Sequence, residues 1–312
     1  MTGVETAMLL NPHHFFHKNR PAGRPQNSGL QASALHPGRR LARKLALAAL
    51  ACLSSLAHAD GAYSVGVVPQ FEARELASIW VPILAELSKR TGLQLTMKGS
   101  PHIPEFEVAF EAGEFDFAYM NPYHAVIAAR KQGYIALVRD AQPISGIIAV
   151  RKDSPYKEVK ELDGKKISFP APNAFGASLL IRADLDTVFH VKMVPLYAQT
   201  HTSAYLNTAL GISEASGGIK GTFDRQPPDV RDSLRILYET RQVPSHPILA
   251  HPRVPEADRA RVQKAILDMA ATPAGAALLA KVPMVKATTA TPAEFAAIKT
   301  WKLEKYYVKS GD

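Results

Sequence analysis

Three clusters of donor-bearing residues in this 312-residue chain lie just past short apolar runs. Tyr119, Asn121, Tyr123 and His124 follow the run 115–120, Asn173-Ala174-Phe175-Gly176-Ala177-Ser178 follow 166–169, and Thr200-His201-Thr202-Ser203 come shortly after 191–196. Each reads as the end of a strand feeding the start of a helix. A helix start leaves about four backbone N–H groups unpaired and carries the positive end of the dipole, so small residues at Ala174, Gly176 and Ala177 leave those donors unshielded for an anion. Hydroxyls on both sides of His201 deliver further donors to one point. Plainer readings stand beside these. Asn121 and Asn173 are good N-caps, the tyrosines fit a core rim, a lone histidine is most often packed, and Gly217-Gly218 suits either a tight turn or close approach of backbone to a ligand.

Catalytic and metal signatures are absent from the sequence: it has no H-E-x-x-H, no G-x-S-x-G, no phosphate-loop Lys-Ser/Thr and no G-x-G-x-x-G. No cofactor, no metal and no catalytic residue is expected. The single cysteine, Cys52, falls inside an apolar leader. Residues 39–44 are basic, 45–56 are apolar, and Ala57-His58-Ala59 fits a peptidase site, so a signal peptide cut before Asp60 is expected, with lipid attachment at Cys52 a lesser alternative. Seven of the 37 Lys/Arg but only one of the 28 Asp/Glu lie in residues 1–59, so the formal charge of +9 belongs mostly to the leader. A nucleic-acid partner is therefore not expected.

The elements that must position the clusters follow from periodicity. Strand patterns at 63–68, 93–97, 115–120 and 134–139 alternate with helical patterns at 73–91, 102–112 and from Pro122 to 131. Leu76, Ile79, Trp80, Ile83, Leu84 and Leu87 form one stripe, with Gly92 as its stop and Pro82 as a possible kink. A Pro-containing joint at 141–145 opens a second unit with strands at 146–150, 166–169, 191–196 and 234–238 and helices after Asn173 and at 203–210. A second joint at 242–247 leads to helices at 255–271 and 273–281 and a helical tail at 292–307. Such alternation predicts α/β lobes with mainly parallel sheets and a ligand beyond the strands' carboxyl ends. The expected division is a leader over 1–59, a first lobe over 60–143, a second over 144–245, and a return to the first over 246–312.

Taken together, Glu111-Ala112-Gly113-Glu114-Phe115-Asp116-Phe117-Ala118-Tyr119, the helix start at 173–182 and Thr200-His201-Thr202-Ser203 resemble periplasmic substrate-binding proteins of phosphate, phosphite and phosphonate ABC transporters. The likeness runs from about Tyr63 to Pro283. It implies a type II periplasmic binding fold: two α/β lobes, joined by two hinge segments, that close on a small oxyanion. It further implies a cross-cleft tyrosine at Tyr119, a donor histidine at His201, and a helix start with consecutive hydroxyls. Here the sequence departs, because those positions hold Ala174, Phe175 and Gly176, with Ser178 nearby. It keeps the backbone donors and loses the side-chain ones. Gly217-Gly218-Ile219 supplies no acid for a ligand amine. The expected ligand contacts are Tyr119, Asn121, Tyr123, Asn173, Ala174, Phe175, Gly176, Ala177, Ser178, Thr200, His201 and Thr202. The expected role is capture of the oxyanion in the periplasm by a monomer and its delivery to an inner-membrane ABC permease. Alternatives are a ligand-sensing module for a membrane signalling partner and, further off, an enzyme on the same fold.

Overall fold

The computed structural model describes residues 62–282 and 284–309, so the leader reading and Cys52 lie outside the described residues. Two sheets carry the chain. The first has the order β11-β4-β10-β3-β1-β2 and is built from β1 (Tyr63–Val67), β2 (Leu95–Lys98), β3 (Phe117–Tyr119), β4 (Ile135–Asp140), β10 (Ile248–Ala250) and β11 (Ala287–Thr289). The second has the order β7-β6-β8-β5-β9 and is built from β5 (Gly146–Arg151), β6 (Lys166–Phe169), β7 (Val194–Tyr197), β8 (Ala215–Ile219) and β9 (Leu234–Glu239).

Parallel pairing dominates where the sequence alternates strand and helix: β2, β1 and β3 run together, as do β7, β6 and β8. In each sheet an antiparallel intruder is the strand that has just crossed over. β4 leads into β5, which lies antiparallel between β8 and β9, and β9 leads back into β10, which lies antiparallel between β3 and β4. The two crossing segments pair with each other through Ile144 and Val243, whose N–H and C=O groups exchange two bonds of 2.9 Å. This is the doubled connection of a type II periplasmic binding fold.

Helix α1 (Ala73–Thr91) buries its Leu76–Leu87 stripe and runs unbroken through Pro82, whose ring sits on the exposed side; Gly92 ends it at φ 71°. Helix α2 (Ile103–Glu111) and helix α3 (Pro122–Gln132) cover the first sheet. The Asn121 side chain caps α3 by accepting from the His124 N–H at 2.8 Å, and Pro122 stands in the first turn. In the second sheet the segment after β6 coils as a π turn (Phe175–Leu179), then α4 (Leu180–Asp184), then another π turn (Leu185–Phe189). Helix α5 (His201–Ala209), α6 (Lys220–Asp224) and α7 (Pro228–Arg231) follow, and α8 (Glu256–Ala270), α9 (Pro273–Leu279) and α10 (Pro292–Ala296) return to the first sheet.

Four expectations need correction. Gly217-Gly218 is not a turn. Both glycines lie inside β8, where a Cβ on Gly217 would come within 2.3 Å of the Ala177 carbonyl and one on Gly218 within 1.8 Å of the Tyr205 hydroxyl. They let the 175–179 turn and α5 press onto the sheet. The helix expected at 203–210 begins at His201 with Thr200 as its cap. Asn173 does not cap the helix after it: Ala174 holds that position and no side-chain cap bond forms. The tail breaks into α10 and two 3-10 turns, Ala297–Thr300 and Leu303–Lys305, rather than one helix.

One apolar cluster fills the first lobe around Phe106, Phe110, Phe115, Phe117 and Ile83, and it continues into Ala174, Phe175, Leu179, Leu180 and Ile219 of the second. The lobes therefore meet in a shared core. Among the described residues no helix is long and apolar enough to cross a membrane, and no group of three side chains suited to a metal ion occurs.

Candidate functional site

The seam between the lobes differs along its length. At one part it encloses a cavity of about 60 Å³. Its polar walls are Gln70 from the loop after β1, Tyr119 at the end of β3, Thr222 from α6 and Arg225 just past its end, and Ser245 and His246 from the second crossing segment; Phe71, Ile144 and Ile219 supply apolar ones. At roughly 10–15 Å³ per water, that space suits a small anion of a few heavy atoms, not an extended ligand.

Burial sets the charge state of this cavity. His246 stacks on Tyr119 with centroids 5.5 Å apart and faces the Gln70 amide nitrogen across 3.4 Å. Loss of water pushes its pKa down to about 3, with His201 and His124 adding to the effect, and pushes that of His201 down to about 4. Both rings are neutral at physiological pH. Tyr119 is raised by burial, opposed by the Arg225 guanidinium, and so stays a phenol. Its hydroxyl lies 3.5 Å from the Val282 carbonyl. Arg225 is the one permanent cation of the lining among the described residues, held by the Lys281 carbonyl at 2.7 Å and lying 5.2 Å over the Phe71 ring.

His201 stands behind Thr222. Its Nδ1 is 3.1 Å from the Thr222 Oγ1, which also lies 3.0 Å from the Tyr205 hydroxyl and 2.8 Å from the Ile219 carbonyl. The network closes with either ring tautomer. When Tyr205 donates to the Ile219 carbonyl and Thr222 to Nδ1, the imidazole proton sits on Nε2, outside that network. The His201 N–H reaches the Gln70 carbonyl at 3.4 Å, a contact across the seam. Thr200 caps α5, its hydroxyl accepting from the Ser203 N–H at 3.1 Å and donating to the Ser203 hydroxyl at 2.9 Å, so this donor is already used; Thr202 is half-buried.

Elsewhere along the seam the expected contacts meet each other directly. Asn121 Nδ2 donates to the Asn173 carbonyl at 3.3 Å, and Tyr123 stacks on Phe175 with centroids 6.1 Å apart. Ala174, Phe175, Gly176, Ala177 and Ser178 are all buried. Within the second lobe this turn presses on β5 at Gly146, where a Cβ would collide with the Gly176 carbonyl. Gly176 in turn lies against Ile219, a cavity wall, with its Cβ position 3.5 Å from Ile219 Cγ1. Ser178 accepts from the half-buried Arg182 guanidinium at 3.3 Å. The structure thus brings Tyr119, and His201 through Thr222, to the cavity, and sets Asn121, Tyr123, Asn173 and Phe175 in a packed contact beside it.

Residues 65–295 match the model of the ABC transporter phosphonate periplasmic substrate-binding proteins. The chain belongs to that family. The solved structures it resembles include PhnD1 from Prochlorococcus marinus in complex with methylphosphonate, at 13% identity and a TM-score of 0.72 over 79% of this chain and 99% of that one. A binding protein component of an ABC phosphonate transporter from Pseudomonas aeruginosa is similar at 14% identity and a TM-score of 0.68, covering 77% and 85%. The periplasmic aliphatic sulphonate binding protein SsuA from Escherichia coli follows at 20% identity and 0.57, covering 80% and 87%. At these identities the likeness establishes the fold. No curated protein sequence matches the chain. The family is one of substrate-binding transport proteins, and its place is the periplasm.

Sequence reasoning missed Gln70, Thr222, Arg225, Ser245 and His246. Gln70 follows β1 just as Tyr119 ends β3, so the rule of strand carboxyl ends that found Tyr119 would have found it. His246 lay in a segment read only as a joint. Thr222 and Arg225 had no local signal.

Proposed function

We propose that this protein captures a small oxyanion of the phosphonate, phosphite or phosphate class between its lobes and delivers it to an ABC permease in the inner membrane. The observation that carries the reading is the cavity beside Tyr119, small, lined by neutral donors and bordered by one guanidinium. Hydroxyl and amide donors from both lobes converge there, so closure and recognition are one event. Neutral histidines suit an anion: they offer N–H groups without an ionic partner to displace, and Arg225 provides the countercharge at the rim. The signal peptide ending at Ala59 and the hinge role of 141–145 and 242–247 belong to the same proposal, as do the backbone donors of 174–178 and the side chains of Asn121, Tyr123, Asn173, Thr200, His201 and Thr202 as ligand contacts or their supports.

A thermal-shift screen against phosphate, phosphite, methyl- and aminoethylphosphonate, sulfate, an alkylsulfonate and small carboxylates tests it. A ligand at 100 times its dissociation constant stabilises by about 2.7 kcal/mol, a shift of several degrees. We expect the phosphorus oxyanions to shift the protein and the carboxylates not to. A shift with carboxylates or sulfonates alone would sink the assignment of ligand class.

A further inference from the structure

Two covalent crossings leave the lobes free to rotate about a hinge, and any third connection between them has to break when they open. The structure holds such a connection. Residues 292–300 and Leu303 are anchored in the first lobe: Phe295, Ile298 and Leu303 are buried in its core, and Glu294 pairs with Arg139 of β4. The chain then leaves that anchor and lies along the second lobe. The Tyr306 carbonyl accepts from the Arg182 guanidinium at 2.6 Å, Lys305 pairs with Asp186 at 2.7 Å, and the Tyr306 hydroxyl donates to the same carboxylate. Trp301 stacks on Phe175 at 6.4 Å under the Arg241 guanidinium, 5.1 Å from its ring.

Asn173 is where this connection fastens. Its side chain bonds both polar groups of Val308, Oδ1 accepting from the N–H at 2.9 Å and Nδ2 donating to the carbonyl at 2.6 Å, while Nδ2 also reaches Glu107 of α2 at 2.9 Å. Its carbonyl takes the Asn121 amide. All four bonds come from outside its own lobe. Its side chain is engaged by Val308 and Glu107 instead of by the first turn of its own helix, and it caps no helix. On the first-lobe side the same tail is held by Tyr307, which packs on Tyr123 at 5.6 Å.

We propose that residues 301–308 form a strap that latches the second lobe against the first, setting ligand affinity through residues that do not touch the ligand. Contacts present only in the closed arrangement raise its population, and apparent affinity scales with the fraction of protein that is competent to hold the ligand. This consequence for affinity rests on the binding function proposed above; the existence of the strap does not.

The test uses the exposed pair Asp186–Lys305, which lies away from the cavity lining and the core. The full chain carries two tryptophans, Trp80 in the first-lobe core and Trp301 in the strap, so fluorine NMR of the 5-fluorotryptophan protein gives one internal reference and one reporter. In the ligand-free protein, Asp186→Lys and Lys305→Glu should each move the Trp301 signal toward that of free 5-fluorotryptophan while Trp80 stays, and the double charge swap should return it. An unmoved Trp301 signal in both single variants overturns the strap. With methylphosphonate as probe, calorimetry and stopped-flow should show each single variant binding about three- to tenfold more weakly, mainly through faster dissociation, with recovery to within about twofold in the swap. Displaced Trp301 with unchanged dissociation rates would overturn the coupling to affinity. Should wild type bind none of phosphate, phosphite, methylphosphonate and aminoethylphosphonate, the functional reading fails while the ligand-free spectra still decide the strap.

Discussion

The two stretches of the lobe seam are made of similar residue types and do opposite things. Around Tyr119, Thr222 and His246 polar groups line space. Around Asn121, Tyr123, Asn173 and Phe175 polar and aromatic groups consume each other, through the Asn121–Asn173 bond, the Tyr123–Phe175 stack and the Glu107–Asn173 bond. Phe175 is the reason for the difference. Where the sequence resemblance implies a hydroxyl, this chain has a phenyl ring that stacks on Tyr123 and joins the first-lobe core. One stretch of the interface thus keeps open space and the other closes it.

The largest effect expected from breaking this division is on stability. Glu107 is buried, with Oε1 2.8 Å from His124 Nε2 and Oε2 bonded to Asn173. Removing one member of such a buried polar pair costs about 3–5 kcal/mol. Glu107→Ala should therefore lower the unfolding free energy by that amount in denaturant titrations. A change under about 1 kcal/mol would mean that the packed stretch is not structural.

The cavity stretch should reveal itself by pH. His201 and His246 are held neutral in the fold, with pKa values near 4 and 3 against about 6.5 unfolded. Below pH 6.5 the unfolded chain binds more protons, so stability falls as pH drops toward the folded values. The window is about pH 3–6.5, and each ring should contribute a loss on the order of 2–3 kcal/mol between pH 7 and 4.5. Thermal unfolding across this range should flatten in His246→Gln and in His201→Gln. An equally steep profile in both variants would place the acid sensitivity elsewhere.

Much of the scaffold was legible in the sequence. The Leu76–Leu87 stripe, the Gly92 stop, the Asn121 cap and the Lys166–Phe169 strand all follow from period and capping chemistry, which are local. β10 and β11 were not legible, because three residues show no alternation of their own: β10 is fixed by β3 and β4 on either side, and β11 by β4 at the sheet's edge. Gly217-Gly218 misled for a similar reason. A glycine pair looks like a turn until Tyr205 and Ala177 are seen pressing on it. At the site, Tyr119 could be found from strand ends, whereas Thr222 and Arg225 gather only through the fold. Asn173 looked like a cap because its partners, Val308 and Glu107, are 135 and 66 residues away.

Binding should separate the two stretches further. Thr222→Val removes a hydroxyl at the cavity wall and strands His201 Nδ1, and we expect affinity for the best screening ligand to fall about ten- to a hundredfold by calorimetry. Tyr119→Phe keeps the ring on His246 and should cost about tenfold. Equal binding by both variants would move the site out of the cavity. The smallest effect is expected at Ser178, buried under Arg182 rather than facing the cavity: Ser178→Ala should change affinity less than about threefold. A larger loss would bring the helix start back as a direct contact.

A crystal structure of the protein with methylphosphonate decides most directly where the anion is held. The account predicts a phosphonate group in the cavity, hydrogen-bonded to Tyr119 from the first lobe and to Thr222 or His201 from the second, with Phe175 still stacked on Tyr123. A ligand held wholly by Asn121, Tyr123 and Asn173, with Phe175 displaced and the cavity empty, would contradict it.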